Sequence, residues 1–181
     1  MITVLRLEHR PFRDQRITTH CGLVARALGA SAFVYSGQQD DKLENSIRGV
    51  VGNFGGKFSI QYTESWKTFL KGFKGKKIHL TMYGLPMQKQ IQKIRKHRNI
   101  LLIIGGEKVP FEVYKLADYN ISVTSQPHSE VAALAIFLDK YFVGKELEKK
   151  FPGAKKKVIP NSRLKQVKTC FQLRGKKVTG K

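Results

Sequence analysis

The fold is decided by two stretches of sequence: Leu101-Leu102-Ile103-Ile104-Gly105-Gly106-Glu107-Lys108-Val109-Pro110 and Asp118-Tyr119-Asn120-Ile121-Ser122-Val123-Thr124-Ser125-Gln126-Pro127-His128-Ser129-Glu130. In each, an apolar run of strand length ends in a polar loop, and a helix pattern follows. Loops that leave the carboxyl ends of parallel strands form the ligand crevice, so we expect both loops to line one pocket. The second loop has no basic phosphate anchor, which favours a neutral or cationic adenosine ligand over a nucleotide.

The rest of the chain repeats this alternation of strands and helices. Strand patterns cover residues 2–7, 32–35, 58–62, 78–82, 99–104 and 119–123, and helix patterns cover residues 13–28, 42–51, 65–73, 87–97, 111–116 and 129–142. Such spacing predicts an α/β fold with a parallel sheet and helices on both faces. The composition changes near Gly144, which predicts an α/β domain over 1–143 and a basic C-terminal extension over 144–181, packed on the domain or on a dimer partner.

The charge is strongly positive and unevenly placed. The chain has 34 Lys and Arg against 13 Asp and Glu, a net charge of +21, and no acidic residue from Lys149 to Lys181. Apolar residues interleave with these charges, which favours short packed elements with a basic outer face and a nucleic-acid partner. A solvated disordered tail and a heat-adapted, Lys-rich surface are the alternatives.

Several classes of protein are excluded. The apolar runs are shorter than the roughly 18–20 residues of a membrane span, and the N-terminus has no signal-peptide shape, so we expect a soluble cytoplasmic protein without membrane partners. The two cysteines, Cys21 and Cys170, do not have metal-ligand spacing. The five histidines do not have it either, so no metal is expected. The run Gly52-Asn53-Phe54-Gly55-Gly56 follows a helix pattern and is interpreted as a turn, not a dinucleotide fingerprint.

Three loops remain as the candidate site: Leu80 to Pro86, Ile104 to Val109 and Val123 to Glu130. Gly105-Gly106 allows close approach of the backbone to a ligand. Glu107 suits a ribose hydroxyl or a positive sulfonium, but equally a carboxylate favoured by the dipole of the helix that begins near Pro110. Ser129 is either a ligand contact or a simple helix N-cap.

The order of these loops, the Gly-x-Glu-like turn and the Ser-led last helix resemble the SPOUT methyltransferases. Within them the chain is similar to the archaeal tRNA ribose 2′-O-methyltransferases that act on cytidine 56 of the T loop. The segments that carry this resemblance are Leu5 to Pro11, Arg13 to His20, Ala25 to Ala30, Gly105 to Pro110 and Gln126 to Glu130. The resemblance implies a C-terminal trefoil knot, S-adenosylmethionine held in the knot, and a homodimer with tRNA lying across both subunits.

The resemblance also implies roles for particular residues. Those implied to bind the cofactor are Leu80, Thr81, Met82, Gly84, Gly105, Gly106, Glu107, Lys108, Val109, Val123, Thr124, Ser125, Gln126, Pro127, His128, Ser129 and Glu130. The arginine of the first motif falls in the region 13–16, and we favour Arg16. Many relatives have Ser-x-Asn in the third motif, whereas here Ser129 is followed by Glu130-Val131.

The catalytic candidates are Arg16 and His20. Arginine is always protonated, so Arg16 is expected to clamp the phosphate beside the reacting ribose. His20 lies one helical turn later on the same face and is a candidate base, with a structural histidine as the alternative. The predicted RNA-binding residues are Arg10, Arg13, Arg26, Lys155, Lys156 and Lys157. Methylation of another RNA position or base, and non-catalytic RNA binding, are the alternative functions.

Overall fold

A six-stranded, all-parallel sheet forms the centre of the molecule. The computed structural model describes residues 1–106 and 108–170. The strands lie in the order β3-β2-β1-β5-β4-β6, and every neighbouring pair is parallel. Their bounds are β1 Ile2–His9, β2 Ala32–Gly37, β3 Ser59–Tyr62, β4 Lys76–Pro86, β5 Ile100–Ile104 and β6 Tyr119–Ser122.

Helices cover both faces of this sheet, which confirms the predicted α/β class. They are α1 Pro11–Ala27, α2 Asp41–Phe54, α3 Trp66–Gly72, α4 Met87–Ile94, α5 Phe111–Leu116 and α6 Glu130–Phe142. One core lies under α1, α2, α4 and α6, and a second lies under α3 and α5. Along β5, Leu102 and Ile104 belong to the first core, whereas Leu101 and Ile103 belong to the second. Burial on both faces explains why β5 is a continuous apolar run.

Strand β4 differs most from its predicted extent. The sequence pattern predicts a strand over 78–82 and a turn over Tyr83 to Pro86, but β4 continues pairing with β6 to Pro86. Leu80 and Leu85 both lie opposite Ile121, because residues 81–84 loop out between the two paired parts of the strand. The loop is thus an insertion within a strand, which a search for turn residues does not recognise.

Helix α2 also runs further than predicted. It passes through Gly52 and ends at Phe54, and the next residue, Gly55, has a φ of 72° in the left-handed region. A Cβ on Gly55 would lie 2.6 Å from the backbone oxygen of Pro152. Gly55 therefore ends the helix and also admits the backbone of the C-terminal extension.

The described part of the extension begins with a 3-10 helix, Lys145–Glu148, and continues to an antiparallel hairpin of β7 Lys156–Ile159 and β8 Gln166–Thr169. Its backbone is tied to the end of α2, since Lys155 N–H donates to the carbonyl of Asn53 at 2.9 Å. All residues of both hairpin strands are exposed. The basic and apolar pattern beyond 170 lies outside the described residues, and the division at Gly144 and the trefoil knot stay predictions. No helix among the described residues is long and apolar enough to cross a membrane.

Candidate active site

A cavity lies at the carboxyl ends of three adjacent strands, β5, β4 and β6. It measures about 430 Å³ and is called here the carboxyl-edge cavity. Its wall is formed by His79, Leu80, Thr81, Met82, Tyr83, Ile104, Gly105, Gly106, Val109, Tyr114, Pro127, His128, Glu130 and Ala133. The volume is in the usual range for a small-molecule site. The three predicted loops therefore meet at one cavity.

The loop within β4 is held against β6 by Gly84. A Cβ on this residue would lie 2.5 Å from the backbone of Asn120 and Ile121. Only glycine allows the two backbones to approach this closely. Gly84 was predicted to bind the cofactor, but it lies outside the cavity wall and instead fixes the loop that carries Thr81, Met82 and Tyr83.

His79 is a buried histidine that was not predicted as a site residue. Its Nδ1 lies 2.9 Å from Oδ1 of Asn120, whose Nδ2 donates to the carbonyl of Tyr114 at 2.9 Å. Because the second bond fixes the amide orientation, Nδ1 of His79 is the donor. Burial lowers the pKa of His79, so the ring is neutral and Nε2 is an acceptor. That Nε2 is buried and has no hydrogen-bond partner among the described residues.

Tyr114 completes this side of the wall. Its hydroxyl lies 2.9 Å from Oγ1 of Thr81, and its ring meets the His79 ring edge to face at 4.6 Å between centroids. Phe111 stacks against Tyr114 from outside at 6.2 Å. A short helix, α5, thus supplies an aromatic side to the cavity and holds the β4 loop.

The opposite side carries a carboxylate with a buried counterion. Arg6 on β1 is 1% exposed, and its Nη2 lies 3.4 Å from Oε1 of Glu130 and 3.9 Å from Oδ2 of Asp14. Glu130 opens α6, where the hydroxyl of Ser129 accepts from the N–H of Val131. Ser129 therefore acts as the N-cap. Glu130 gives the cavity a negative charge. The compensating positive charge, Arg6, is buried behind the cavity wall.

The loop after β5 depends on Gly105. A Cβ on Gly105 would collide with Cγ2 of Val109, whereas a Cβ on Gly106 would have no neighbour within 4 Å. Gly105 thus allows the loop to close on Val109, and Gly106 leaves open space between the cavity and solvent. Glu107 lies outside the described residues, so its predicted role stays a prediction.

The wall includes nine of the residues predicted to bind a cofactor: Leu80, Thr81, Met82, Gly105, Gly106, Val109, Pro127, His128 and Glu130. Among the described residues, the predicted ones that lie away from the wall are Gly84, Lys108, Val123, Thr124, Ser125, Gln126 and Ser129. Five more residues of the wall were not named as cofactor ligands: Tyr83 and Ile104, which lie in the predicted loops, and His79, Tyr114 and Ala133, which lie outside them. The sequence feature that could have identified His79 is its position immediately before the predicted loop that begins at Leu80.

A smaller, basic cavity adjoins the first through Gly106, which lines both. This arginine cavity measures about 220 Å³ and is lined by Leu7, Glu8, Arg10, Arg13, Gly106 and Lys108. The side chains of Arg10 and Arg13 are 50% and 58% exposed. Two predicted RNA-binding arginines therefore lie next to the carboxyl-edge cavity, and Lys108 lies with them.

Arg16 and His20 lie elsewhere. They share a cavity of about 260 Å³ between α1 and α2 with Gln15, Thr19, Lys42, Leu43 and Ser46. This confirms that the two side chains share one helical face. Both are exposed, and within one chain the structure does not bring them to the carboxyl-edge cavity.

A buried network beneath these residues ties the middle of α1 to the start of α2. His9 lies with Nδ1 at 2.9 Å from Oγ1 of Thr18 and Nε2 at 3.2 Å from Oδ2 of Asp40. Asp40 also caps α2 by accepting from the N–H of Leu43. Burial lowers the pKa of His9. We interpret this histidine as structural, because each ring nitrogen has a protein partner.

The other predicted RNA-binding residues differ in exposure. Lys155, Lys156 and Lys157 are exposed on the extension. Arg26 is only 7% exposed, and its Nη2 donates to the carbonyl of Gly55 at 2.7 Å. Its position in α1 places it under the extension, so it is not the surface contact that the sequence suggested. Within 1–106 and 108–170, no group of three His, Cys, Asp or Glu side chains converges as a metal site.

Solved structures with a similar fold include methyltransferases. The SpoU methyltransferase AviRb from Streptomyces viridochromogenes aligns with a TM-score of 0.59 and 16% identity, over 83% of this chain and 61% of that chain. Its complex with AdoMet aligns with a TM-score of 0.55 and 14% identity, over 78% of this chain and 58% of that chain. The fold is that of the SpoU methyltransferases.

Sequence relatives define the family. Residues 54–168 match the family described as tRNA ribose 2′-O-methyltransferase, aTrm56. The tRNA (cytidine(56)-2′-O)-methyltransferase of Picrophilus torridus is 59% identical over 168 residues, 93% of this chain and 49% of that protein. Its counterpart from Pyrococcus horikoshii is 49% identical over 171 residues, 92% of this chain and 84% of that protein. The chain belongs to this tRNA ribose 2′-O-methyltransferase family, and it spans about half the length of the first relative.

Proposed function

We propose that this protein transfers a methyl group from S-adenosylmethionine to the ribose 2′-hydroxyl of cytidine 56 in tRNA, in the cytoplasm. The observation that carries the proposal is the pairing of two cavities across Gly106. One has a carboxylate and no Lys or Arg in its described wall, and the other is lined by Arg10, Arg13 and Lys108 beside a single carboxylate, Glu8. The names of the family and of the relatives support the choice of substrate.

The carboxyl-edge cavity fits the proposed cofactor. When bound, S-adenosylmethionine supplies a methyl group carried on a positive sulfonium. A ligand without phosphate needs no basic anchor, and the described wall has none. The unpartnered Nε2 of His79 can accept from an amino group of the ligand, and Glu130 favours its positive charge. Tyr114 and Val109 provide apolar surface beside them.

The arginine cavity fits the acceptor. A ribose hydroxyl that reacts must be held in line with the methyl group, and positioning of this kind supplies much of the rate. Arg10 and Arg13 are permanent cations, so they are suited to clamp the phosphate next to that ribose. They cannot serve as bases. The hydroxyl proton can therefore pass to Glu8, which lines the same cavity, to the clamped phosphate, or to a base from outside the cavity.

We also propose a homodimer in which α1 of one copy reaches the carboxyl-edge cavity of the other. Phe12 is fully exposed on α1, one helical turn before Arg16 on the same face, with His20 one turn further. A bare phenylalanine beside two functional candidates favours a face that a second copy covers. In this arrangement Arg16 is a second phosphate clamp and His20 is the base. Within one chain both side chains lie in a different cavity.

A mixing experiment tests the shared site. Arg16→Ala copies are combined with Glu130→Ala copies, each inactive alone, under conditions that exchange subunits. If α1 acts on the second copy, the mixed dimers hold one intact site and an equal mixture recovers about a quarter of the wild-type activity. Recovery of no activity contradicts the shared site but leaves the proposed reaction standing.

The reaction itself is tested with an unmodified tRNA transcript and labelled S-adenosylmethionine. We expect one methyl group per tRNA. The matched control is a tRNA assembled with deoxycytidine at position 56, which lacks the acceptor hydroxyl and should stay unlabelled. Labelling of that control, or a methyl group on the base, contradicts ribose methylation, and no labelling of either RNA favours a non-catalytic RNA-binding protein.

A further inference from the structure

A second basic cavity lies on the opposite edge of the sheet from the proposed active site. It measures about 320 Å³ and is called here the amino-edge cavity. Ser31 and Phe58, which line it, immediately precede β2 and β3. Because all six strands are parallel, the amino ends of β2 and β3 and the carboxyl ends of β4 to β6 lie on opposite edges.

The lining is cationic. Four of its residues are Arg26, Lys57, Lys149 and Lys150, and none of the described lining residues is acidic. The remaining lining residues are Ala30, Ser31, Gly56, Phe58, Phe151 and Pro152. Both the domain and the extension contribute cations, so the cavity exists only where the extension is packed on the domain.

Arg26 is the buried member of this group. Its Nη2 donates to Gly55, and its guanidinium lies 4.6 Å from the centroid of the Phe151 ring. Its Nε is buried and has no hydrogen-bond partner among the described residues. No carboxylate in the described part of the chain forms a salt bridge with Arg26. A buried arginine is normally paired, so this one is held in a costly state.

Lys149 raises that cost. Its ammonium lies 5.7 Å from the centroid of the Phe151 ring and donates to the carbonyl of Gly29 at 3.3 Å. Its pKa is lowered by burial and by the charge of Arg26. Interactions with one phenylalanine ring and two carbonyls hold these cations in place but leave their positive charge uncompensated.

We propose that the amino-edge cavity binds a phosphate group. A phosphate oxygen can accept from the buried Nε of Arg26 and from the hydroxyl of Ser31, while Lys57 and Lys150 supply exposed charge at the mouth. Binding would relieve the repulsion between Arg26 and Lys149 and would bridge the domain to its extension. This site does not depend on the proposed methyl transfer. Its phosphate can come from the RNA backbone or from free phosphate.

The test uses the full chain and the variant Lys57→Gln/Lys150→Gln, which removes two exposed charges without disturbing Arg26. The control is Lys71→Gln/Lys74→Gln, which removes two exposed charges at the end of α3. Melting temperature is measured with inorganic phosphate at constant ionic strength. A ligand that binds only the folded state raises this temperature. We expect a rise of several degrees in the wild type and the control, and none in the Lys57/Lys150 variant.

A second arm identifies the source of the phosphate. If it belongs to RNA, the Lys57/Lys150 variant reduces the slope of log affinity against log salt by about one for each lost phosphate contact, and the control does not. An unchanged slope, with the phosphate effect on melting lost, assigns the cavity to free phosphate. An equal rise in melting temperature in all three proteins, or no rise in the wild type, overturns the proposal.

Discussion

The two edges of the sheet carry cavities of similar size and opposite electrostatics. At the carboxyl edge the described wall contains a carboxylate, a neutral histidine and no Lys or Arg, and the compensating Arg6 is buried behind Glu130. At the amino edge, Arg26 and three lysines line a cavity whose described wall has no carboxylate. In a chain with a net charge of +21, excluding positive charge from one cavity requires specific placement. The net charge of the chain therefore points to a polyanionic partner, whereas the residues that line each cavity determine which ligand that cavity can bind.

The largest expected effect concerns the carboxylate of the carboxyl edge. Glu130→Ala should lower the free energy of unfolding by about 3 kcal/mol, because it leaves the buried charge of Arg6 with only Asp14 nearby. Urea denaturation measures this loss. The double variant Arg6→Met/Glu130→Leu should recover most of it.

The matched control for that effect is Glu112→Ala, which removes an exposed partner of Lys67 and should lower the free energy of unfolding far less, because exposed ion pairs contribute little to stability. Equal losses for Glu112→Ala and Glu130→Ala would show that the Arg6–Glu130 pair is an ordinary surface pair. The contrast between the two edges would then lose its physical basis.

The next largest effect concerns catalysis, which should depend on the arginine cavity and not on the amino-edge cavity. Arg13→Ala should lower kcat/KM for tRNA by about 100-fold through misplacement of the acceptor. The affinity for S-adenosylmethionine should not change. Lys57→Gln, at the amino edge, should leave kcat at saturating tRNA as it is. If Arg13→Ala has full activity, the acceptor is positioned by other residues.

A smaller effect tests the neutral state of His79. Burial lowers the pKa of His79 and of His9, so the unfolded chain binds protons first as the pH falls. The free energy of unfolding should therefore decrease as the pH falls below about 6.5 and should level off above it. His79→Gln should reduce this dependence. The affinity for S-adenosylmethionine should fall by roughly fivefold in His79→Phe, whose ring has no acceptor in place of Nε2.

The smallest effect concerns the exposed lysines of the extension. Replacing Lys155, Lys156 and Lys157 by Gln should reduce the salt slope of tRNA binding by about one for each lost contact. The affinity for S-adenosylmethionine should be unaffected, because the extension packs on α2 rather than on the carboxyl edge. A loss of cofactor affinity in this variant would show that the extension affects the carboxyl-edge cavity, contrary to this expectation.

The sequence predicted the place of the site better than its members. Strand, loop and helix patterns locate the carboxyl ends of β4, β5 and β6, and the loops that leave these ends meet at one cavity. The role of His79 depends on the β4–β6 register, which sets it beside Asn120, and register is a tertiary property. The role of Gly84 likewise depends on tertiary structure, because Gly84 contacts β6 only where four residues loop out of β4.

Charged residues were the hardest to place. The spacing of Arg16 and His20 correctly predicts one shared face, but not that the two exposed side chains line a cavity together with residues of α2. Arg6 is one residue of the strand pattern over 2–7. Nothing in the neighbouring sequence shows that its side chain is buried behind Glu130. Arg26 was expected at a surface, and its burial depends on the extension more than a hundred residues later in the chain.

The central claim is that the carboxyl-edge cavity holds the methyl donor, and calorimetric titration with S-adenosylmethionine tests it most directly. Gly106→Phe should weaken binding at least about tenfold, because Gly106 lines the cavity and a side chain there has room to enter it. Gly49→Phe, on the exposed side of α2, is the control and should bind like the wild type. ATP should not bind at this cavity in any of the three proteins. Unchanged S-adenosylmethionine affinity in Gly106→Phe would contradict the claim.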